Sequence, residues 1–313
     1  MSKELKFIDL FAGIGGIRLG FEHIGAKCVF SSEWDDDARK TYIANFDDIP
    51  AGDITKINPM DIPDHDILLA GFPCQPFSII GSQEGFEHET QGTLFFNIES
   101  ILKEKKPYAF MLENVRNLTA HDGGNTFKII ISHLEQLGYY VHYKVLNALR
   151  FGVPQKRERI IIVGFLDDLE FEFPSGTDDI VTIDKILEPE DQIDKKLFVK
   201  EYIRDRRNAA MKEKPNYVYI SHENVAGSIT PHPYSCALRA GASSNYLLIN
   251  NERRPSPREL LRIQGFPDNF KIVVNYRAIK KQTGNSVAVP MIKAVAEEML
   301  KSLKKGGYMD EKK

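Results

Sequence analysis

Cys74 stands in the run Gly71-Phe72-Pro73-Cys74-Gln75-Pro76-Phe77-Ser78, directly after the apolar stretch Ile67-Leu68-Leu69-Ala70. A residue preceding a proline is pushed to extended backbone. Pro73 and Pro76 therefore hold the thiol on a stiff loop beyond a buried strand, as a nucleophile requires. Two fragments downstream supply what a thiol needs. Glu113-Asn114-Val115 places a carboxylate at the end of an apolar strand, where it can move a proton. In Gln155-Lys156-Arg157-Glu158-Arg159 the arginines alternate, so a strand turns both to one side. Positive charge there would favour the thiolate.

A second group lies in Phe7-Ile8-Asp9-Leu10-Phe11-Ala12-Gly13-Ile14-Gly15-Gly16, a strand running into a glycine-rich turn and a helix. Glycine permits positive φ and close approach to a ligand. The dinucleotide fingerprint G-x-G-x-x-G fails, because Arg18 stands where the third glycine belongs. The turn suits a nucleoside without a pyrophosphate. Glu33, ending the second strand, is placed for ribose hydroxyls. Trp34 is placed to pack on an adenine ring, and Asp53, in Gly52-Asp53-Ile54, to bond its amino group. Each fragment alone has an ordinary structural reading: a buried cysteine, a helix-capping carboxylate, a solvated strand face, or a tight turn beside a core tryptophan.

The frame for these groups is legible in the first 165 residues. Strand patterns at 6–11, 27–32, 66–72, 108–112, 140–146 and 159–165 alternate with amphipathic stretches at 17–24, 36–46, 94–105 and 126–137. Near-continuous apolar strands between helices predict a doubly wound, mostly parallel α/β sheet. Its ligands bind beyond the carboxyl ends of the strands. Gly13, Glu33, Cys74 and Glu113 each fall just past a predicted strand end, so one crevice can hold all four. From 167 to 251 the sequence turns irregular, with strand-like runs only at 217–220 and 246–250, and reads as a smaller second domain. Helical patterns return at 256–264 and 287–303, and the tail from Lys304 reads as frayed.

The 313 residues carry a formal net charge of −3, with 42% hydrophobic and 27% charged residues, an ordinary globular composition. From 201 to 290 there are 14 Lys and Arg against 7 Asp and Glu, so that stretch is basic within an acidic chain. Three cysteines, Cys28, Cys74 and Cys236, form neither a disulfide framework nor a zinc-type C-x-x-C spacing. With no signal peptide and no membrane span in the sequence, a cytoplasmic protein is expected.

Taken in order, the fragments form a known set. They are 7–16, Glu33-Trp34, Gly52-Asp53-Ile54, 71–78, Gly92-Thr93-Leu94-Phe95, Glu113-Asn114-Val115 and 155–159. After a gap come Arg254-Pro255-Ser256-Pro257-Arg258-Glu259, Gln264-Gly265-Phe266-Pro267 and Gly284-Asn285-Ser286-Val287. The chain closely resembles bacterial DNA (cytosine-5)-methyltransferases of restriction–modification systems.

The resemblance implies a fold and a set of roles. The fold is the S-adenosylmethionine-dependent methyltransferase sheet with a β-rich target-recognition domain. Its parts would be 1–170 (catalytic and cofactor-binding), 171–275 (recognition and hinge) and 276–313 (return to the catalytic domain). Cys74 would add to C6 of a cytosine flipped out of double-stranded DNA, and Glu113 would bond its N3 and exocyclic amine. Arg159 would hold O2 and brace Glu113, while Arg157 would sit by the phosphate backbone. S-adenosylmethionine would be held by Phe11, Gly13, Ile14, Gly15, Gly16, Glu33, Trp34, Asp53, Ile54, Pro73, Leu94, Asn285 and Ser286. DNA would meet Gln75, Ser78, Ser82, Arg239, Ser243, Asn245 and Arg254. One departure stands out: where the family carries Thr-Leu in its recognition region, this chain has Ala237-Leu238. The expected enzyme is a monomer, with no need to touch a companion endonuclease. The rival readings are a tRNA cytosine-5-methyltransferase and a non-catalytic DNA-binding protein on the same scaffold.

Overall fold

The computed structural model describes residues 4–73, 94–211 and 213–309. Cys74, Gln75, Ser78 and Ser82 lie outside the described residues. The first half alternates strand and helix: β1 (Lys6–Leu10), α1 (Gly16–Glu22), β2 (Lys27–Ser32), α2 (Asp36–Phe46), β3 (Ile67–Gly71), α3 (Leu94–Lys105), β4 (Ala109–Val115), α4 (Asn125–Gln136) and β5 (Tyr140–Asn147). The two-residue β6 (Gln155–Lys156) and then β7 (Glu158–Phe165) follow. Six of these strands form one sheet in the order β2-β1-β3-β4-β7-β5. β1, β2, β3 and β4 run parallel, while β7 is antiparallel to both its neighbours.

Alternate residues of the central strands feed opposite faces. Phe7, Leu69, Met111 and Val163 join one apolar layer with Ile17 and Phe21 of α1. Ile8, Leu68, Phe110 and Ile162 join the other with Phe95 and Ile98 of α3 and Ile130 of α4. The chain leaves β1 for β2 at one edge and crosses back to β3, so the strand order reverses between β1 and β3. That switch point is where an open α/β sheet binds its ligand.

After β7 come α5 (Glu201–Ala209), β8 (Ile220–Glu223), β9 (Ile229–His232), β10 (Ser235–Cys236), β11 (Leu247–Ile249), α6 (Pro257–Ile263), α7 (Tyr276–Asn285) and α8 (Val289–Lys305). β8 pairs antiparallel with β9 and β11 in a small sheet, and β10 pairs with β6. A third apolar cluster sets Ile220, Leu238, Leu247, Leu260 and Ile279 against Ile14 and Ala38 of the first half. α8 returns to the large sheet, burying Met291, Ile292, Val295 and Met299 beside α1. Gly20 allows that approach, since a Cβ there would stand 2.4 Å from Ile292 Cγ2.

The structure amends the expected elements at several places. β4 continues through Glu113 and Asn114 to Val115, so Glu113 lies within the strand and not past its end. α5 and α7 fall where no helix was expected. Of α5 only Arg207 is buried, and α7 buries polar Gln282 and Thr283 beside Ala278 and Ile279, so neither shows an apolar stripe. The strands of the small sheet start later than the runs at 217–220 and 246–250. Beyond Lys304 the chain is packed as far as Tyr308, whose ring lies 4.6 Å from that of Tyr108.

Candidate functional site

A cavity of about 440 Å³ opens at the carboxyl ends of β1, β3 and β4. Its walls bring together residues from six separate parts of the chain. Phe11, Gly13 and Ile14 come from the turn after β1, and Glu33, Trp34 and Asp35 from the end of β2. Pro73 stands at one wall with Gly71 and Phe72; Glu113, Arg157 and Arg159 form another; Lys281, Gln282, Gly284 and Asn285 close it from α7.

On the first side, the turn is held by Glu33. Its two carboxylate oxygens accept the backbone N–H groups of Gly13 (2.8 Å) and Asp35 (2.7 Å), which leaves each a further lone pair for a ligand. Gly13 has φ +56°, and among the described residues nothing stands within 4 Å of where a Cβ would be. Trp34 is 73% exposed, so its indole belongs to the cavity rim and not to the core. Asp35 caps α2 by accepting the Ala38 N–H at 2.9 Å and pairs with Lys281 across the cavity mouth.

On the second side, Glu113 and Arg159 face each other. Arg159 Nε lies 2.8 Å from Glu113 Oε1, in an ion pair whose angle misses that of a hydrogen bond. Both side chains are largely buried, so the attraction is weakly screened. Gly71 pairs with Glu113 in the ladder, and a Cβ on Gly71 would stand 3.6 Å from Glu113 Oε2. Asn114 donates to the Phe72 carbonyl at 2.9 Å, which ties the end of β4 to the chain leading into Pro73.

Arg157 is placed differently from expectation. It is 1% exposed, and its guanidinium donates to the carbonyls of Leu238 (3.0 Å), Gly284 (3.1 Å) and Ser286. Burial, with Arg159 nearby adding to it, pushes its pKa down to about 9. The three carbonyls make Arg157 a structural tie between segments, a role the sequence did not suggest beside the expected backbone contact.

Other expected cofactor residues are not among those lining the cavity. Asp53 caps the turn at Ile54–Lys56, accepting from the Thr55 N–H and hydroxyl, and Ile54 is buried in the α3-side core. Gly15 and Gly16 sit where side chains would meet Phe46 and Ser286, so they serve close packing of the turn. Leu94 begins α3, and Ser286 presents its carbonyl to Arg157. Residues the sequence left without a role, Lys281 and Gln282, do line the cavity. Reading α7 as a helix would have placed them one turn before Asn285. Asn114 was visible inside its motif, but its bond to Phe72 was not.

In the small region some of the basic residues are engaged in ion pairs. Arg206 and Arg207 pair with Glu223, Arg253 with Glu259 and Arg262 with Asp268. Arg254 donates to the carbonyls of Lys196 and Leu197 and lies over the Tyr276 ring. Arg239 and Lys280 have no carboxylate partner among the described residues. Each lies 5.3 Å from the centre of the Tyr246 ring, and Arg239 Nη2 is 3.1 Å from His222 Nε2. Burial, then the Arg239 charge, lowers the pKa of Lys280 and of His222. Ser243 is exposed in the same loop, while the Asn245 carbonyl accepts from Arg207. Another hollow of about 220 Å³, between Glu188, Val218 and Arg253, contains none of the expected site residues.

Residues 5–301 match the family model for C-5 cytosine-specific DNA methylases. The chain belongs to that family. It is 56% identical to the type II methyltransferase M.HaeII of Haemophilus aegyptius over 96% of its length and 94% of the relative's. It is likewise 56% identical to M.NgoBI of Neisseria gonorrhoeae, over 92% and 91%. Among solved structures, the Entamoeba histolytica methyltransferase EhMeth superposes with a TM-score of 0.72 at 17% identity, covering 96% of this chain and 99% of that one, a likeness of fold. The protein is a DNA cytosine-5-methyltransferase, and the tRNA and non-catalytic alternatives are not favoured. Among the described residues no helix is long and apolar enough to cross a membrane.

Proposed function

We propose that the cavity binds S-adenosylmethionine between the β1 turn and Trp34, and a flipped cytosine between Glu113, Arg159 and Cys74. The observation that carries this reading is the Glu113–Arg159 pair, which shares one cavity with Glu33, Trp34 and Pro73. The donor set fits the cofactor: an exposed indole for the adenine, a carboxylate with spare lone pairs for the ribose, and open space over Gly13. When bound, S-adenosylmethionine supplies a methyl group on a sulfonium. Phe11, Ile14, Pro73 and Asn285 would complete its walls.

Cytosine C5 is a poor nucleophile. Addition of the Cys74 thiolate to C6 forms the S–C6 bond and moves the ring π electrons toward C5, which then has enamine character. Glu113 holds N3 and the exocyclic amine, offsetting the charge that develops on the ring. Arg159 orients Glu113 and donates to O2. After C5 is methylated, loss of its proton to a base returns an electron pair to the C5–C6 bond and expels the thiolate. A stacked base cannot reach these groups, so it must leave the duplex.

Residues 1–170 and 276–313 would form the catalytic part and 171–275 the recognition part, with Arg239, Ser243 and their loop facing a specific sequence of double-stranded DNA. Relatives carry type II methyltransferase names, so we assign this chain to a restriction–modification system, as a cytoplasmic monomer. Incubation with duplex containing 5-fluorocytosine tests the chemistry, since fluorine cannot leave as a proton does. The expected product is a covalent adduct on Cys74, absent in Cys74→Ser; an adduct mapped to Cys28 or Cys236 overturns the assignment.

A further inference from the structure

We propose that Gln155 and Arg157 clamp residue 238, and through it the Arg239 loop, at a set position over the catalytic cavity, which makes them positioning residues for sequence discrimination. The proposal rests on the reading that the Arg239 loop meets DNA.

The clamp is built from the alternation of β6 and the residue that follows it. Gln155 and Arg157 are 0% and 1% exposed, while Lys156 between them faces solvent. β6 pairs parallel with β10, Ser235 opposite Gln155 and Cys236 opposite Lys156, and the pairing then stops. Two residues further on, side chains replace the ladder. The Leu238 N–H donates to Gln155 Oε1 at 2.9 Å, and the Leu238 carbonyl accepts from Arg157 Nη1 at 3.0 Å. Both backbone polar groups of the residue before Arg239 are thus held by side chains two positions apart.

Each member of the clamp also reaches the catalytic side. Gln155 Nε2 donates to the Ile263 carbonyl (3.1 Å) and to Gln264 Oε1 (2.9 Å), and Gln264 donates to the Thr283 carbonyl at 2.6 Å. Arg157 Nη2 holds the carbonyls of Gly284 and Ser286, on either side of the cavity residue Asn285. One guanidinium therefore grips the carbonyls flanking Asn285 and the carbonyl preceding Arg239.

A buried guanidinium whose hydrogen bonds go to carbonyls is an expensive way to join segments, because burial works against its charge. Apolar packing would hold these segments equally well but would let them slide. A planar fork meets three carbonyls in only one arrangement. What the polar clamp adds is register between the loop that faces DNA and the pocket that receives the base.

The test measures kcat/KM on the methylated duplex, once bisulfite sequencing has defined it, and on duplexes changed at one base pair. Gln155→Met and Arg157→Lys should each lower the discrimination ratio by about ten-fold, the scale of one misplaced base contact. In Gln155→Met, kcat on the correct duplex should stay within about three-fold, since that side chain touches no reacting atom. A phosphate contact would survive Arg157→Lys, which keeps the charge, so unaltered discrimination in both variants overturns the clamp. A fall in kcat with discrimination intact overturns it too. Arg239→Ala separates the two layers of the argument. If it alone alters discrimination, the recognition loop stands and the clamp falls; if only the clamp variants alter it, the clamp stands without Arg239. Should the variants fail to fold, amide exchange in the unaltered protein decides. The Leu238 N–H should exchange as slowly as those of β3, and fast exchange would show that the clamp is not formed.

Discussion

Replacing Gly284 by alanine sets local preference against tertiary packing, and the two give opposite signs. Gly284 lies near the end of α7 and has no positive φ, so alanine would be expected to stabilise the helix by about 0.5–1 kcal/mol. A Cβ at that position, however, would stand 2.3 Å from the Ala240 backbone nitrogen and 2.6 Å from the Arg239 carbonyl carbon. To reach ordinary contact near 3.4 Å, the loop must retreat by about 1.1 Å. It cannot do so freely, because Leu238 is held at 2.9 and 3.0 Å by Gln155 and Arg157, and bonds stretched by that amount are lost. Overpacking costs about 1–3 kcal/mol, and a clamp group left without its partner adds roughly 1–3 more. Gly241, in the same loop, has open space around its would-be Cβ, so Gly241→Ala should be neutral or stabilising by about 0.4–1 kcal/mol. Urea unfolding of the three proteins at constant m-value measures the difference. A Gly284→Ala protein as stable as the parent would show that the loop does not rest on α7, and would remove the basis for the clamp.

Three further outcomes are expected. Trp34→Ala should leave stability within about 0.5 kcal/mol, because the ring is mostly exposed, yet weaken S-adenosylmethionine by about 1 kcal/mol in calorimetry; unchanged affinity would refute its place beside the adenine. Arg159→Met leaves Glu113 buried without its cation, and should cost about 3 kcal/mol in unfolding and most of the methylation rate; a variant with parental stability and rate would show the pair to be idle. Asp9 is buried with neither oxygen partnered among the described residues, and burial raises its pKa to about 8. Its folded value exceeds its unfolded one, so the folded state holds an extra proton between about pH 4 and 8, and stability falls as pH rises through that window by at most about 1.4 kcal/mol per unit. Asp9→Asn should flatten this dependence, and parallel curves for the two proteins would count against it.

Where the sequence reading succeeded and failed follows from how local each signal is. α2 and α3 were readable to the residue because Asp36–Phe46 and Leu94–Lys105 carry their own periodicity, with Asp35 capping the first. The cavity wall of Glu33, Trp34, Glu113 and Arg159 was readable because those residues lie at or near the ends of apolar strands whose order fixes where they meet. Asp53 and Arg157 were assigned ligand roles from their motifs alone. What the motifs could not show is that Asp53 also caps a turn and that Arg157 donates to three distant carbonyls.

The sequence by itself determined the family, the parallel sheet and the side chains able to do chemistry, because each depends on residue type, short-range spacing and order along the chain. Only the tertiary structure decided which of those side chains face the cavity and which are spent inside the protein. The reason is competition for hydrogen-bonding groups. A guanidinium or carboxamide can serve a ligand or a buried backbone group, and the choice depends on which carbonyls the fold leaves without a partner. Leu238 lies beyond the end of the β6–β10 ladder, and Gly284 and Ser286 lie where α7 gives way to α8. These segments are separated from Arg157 by 81 to 129 positions in the chain. No local pattern announces that their carbonyls need a donor, and only folding brings the donor to them.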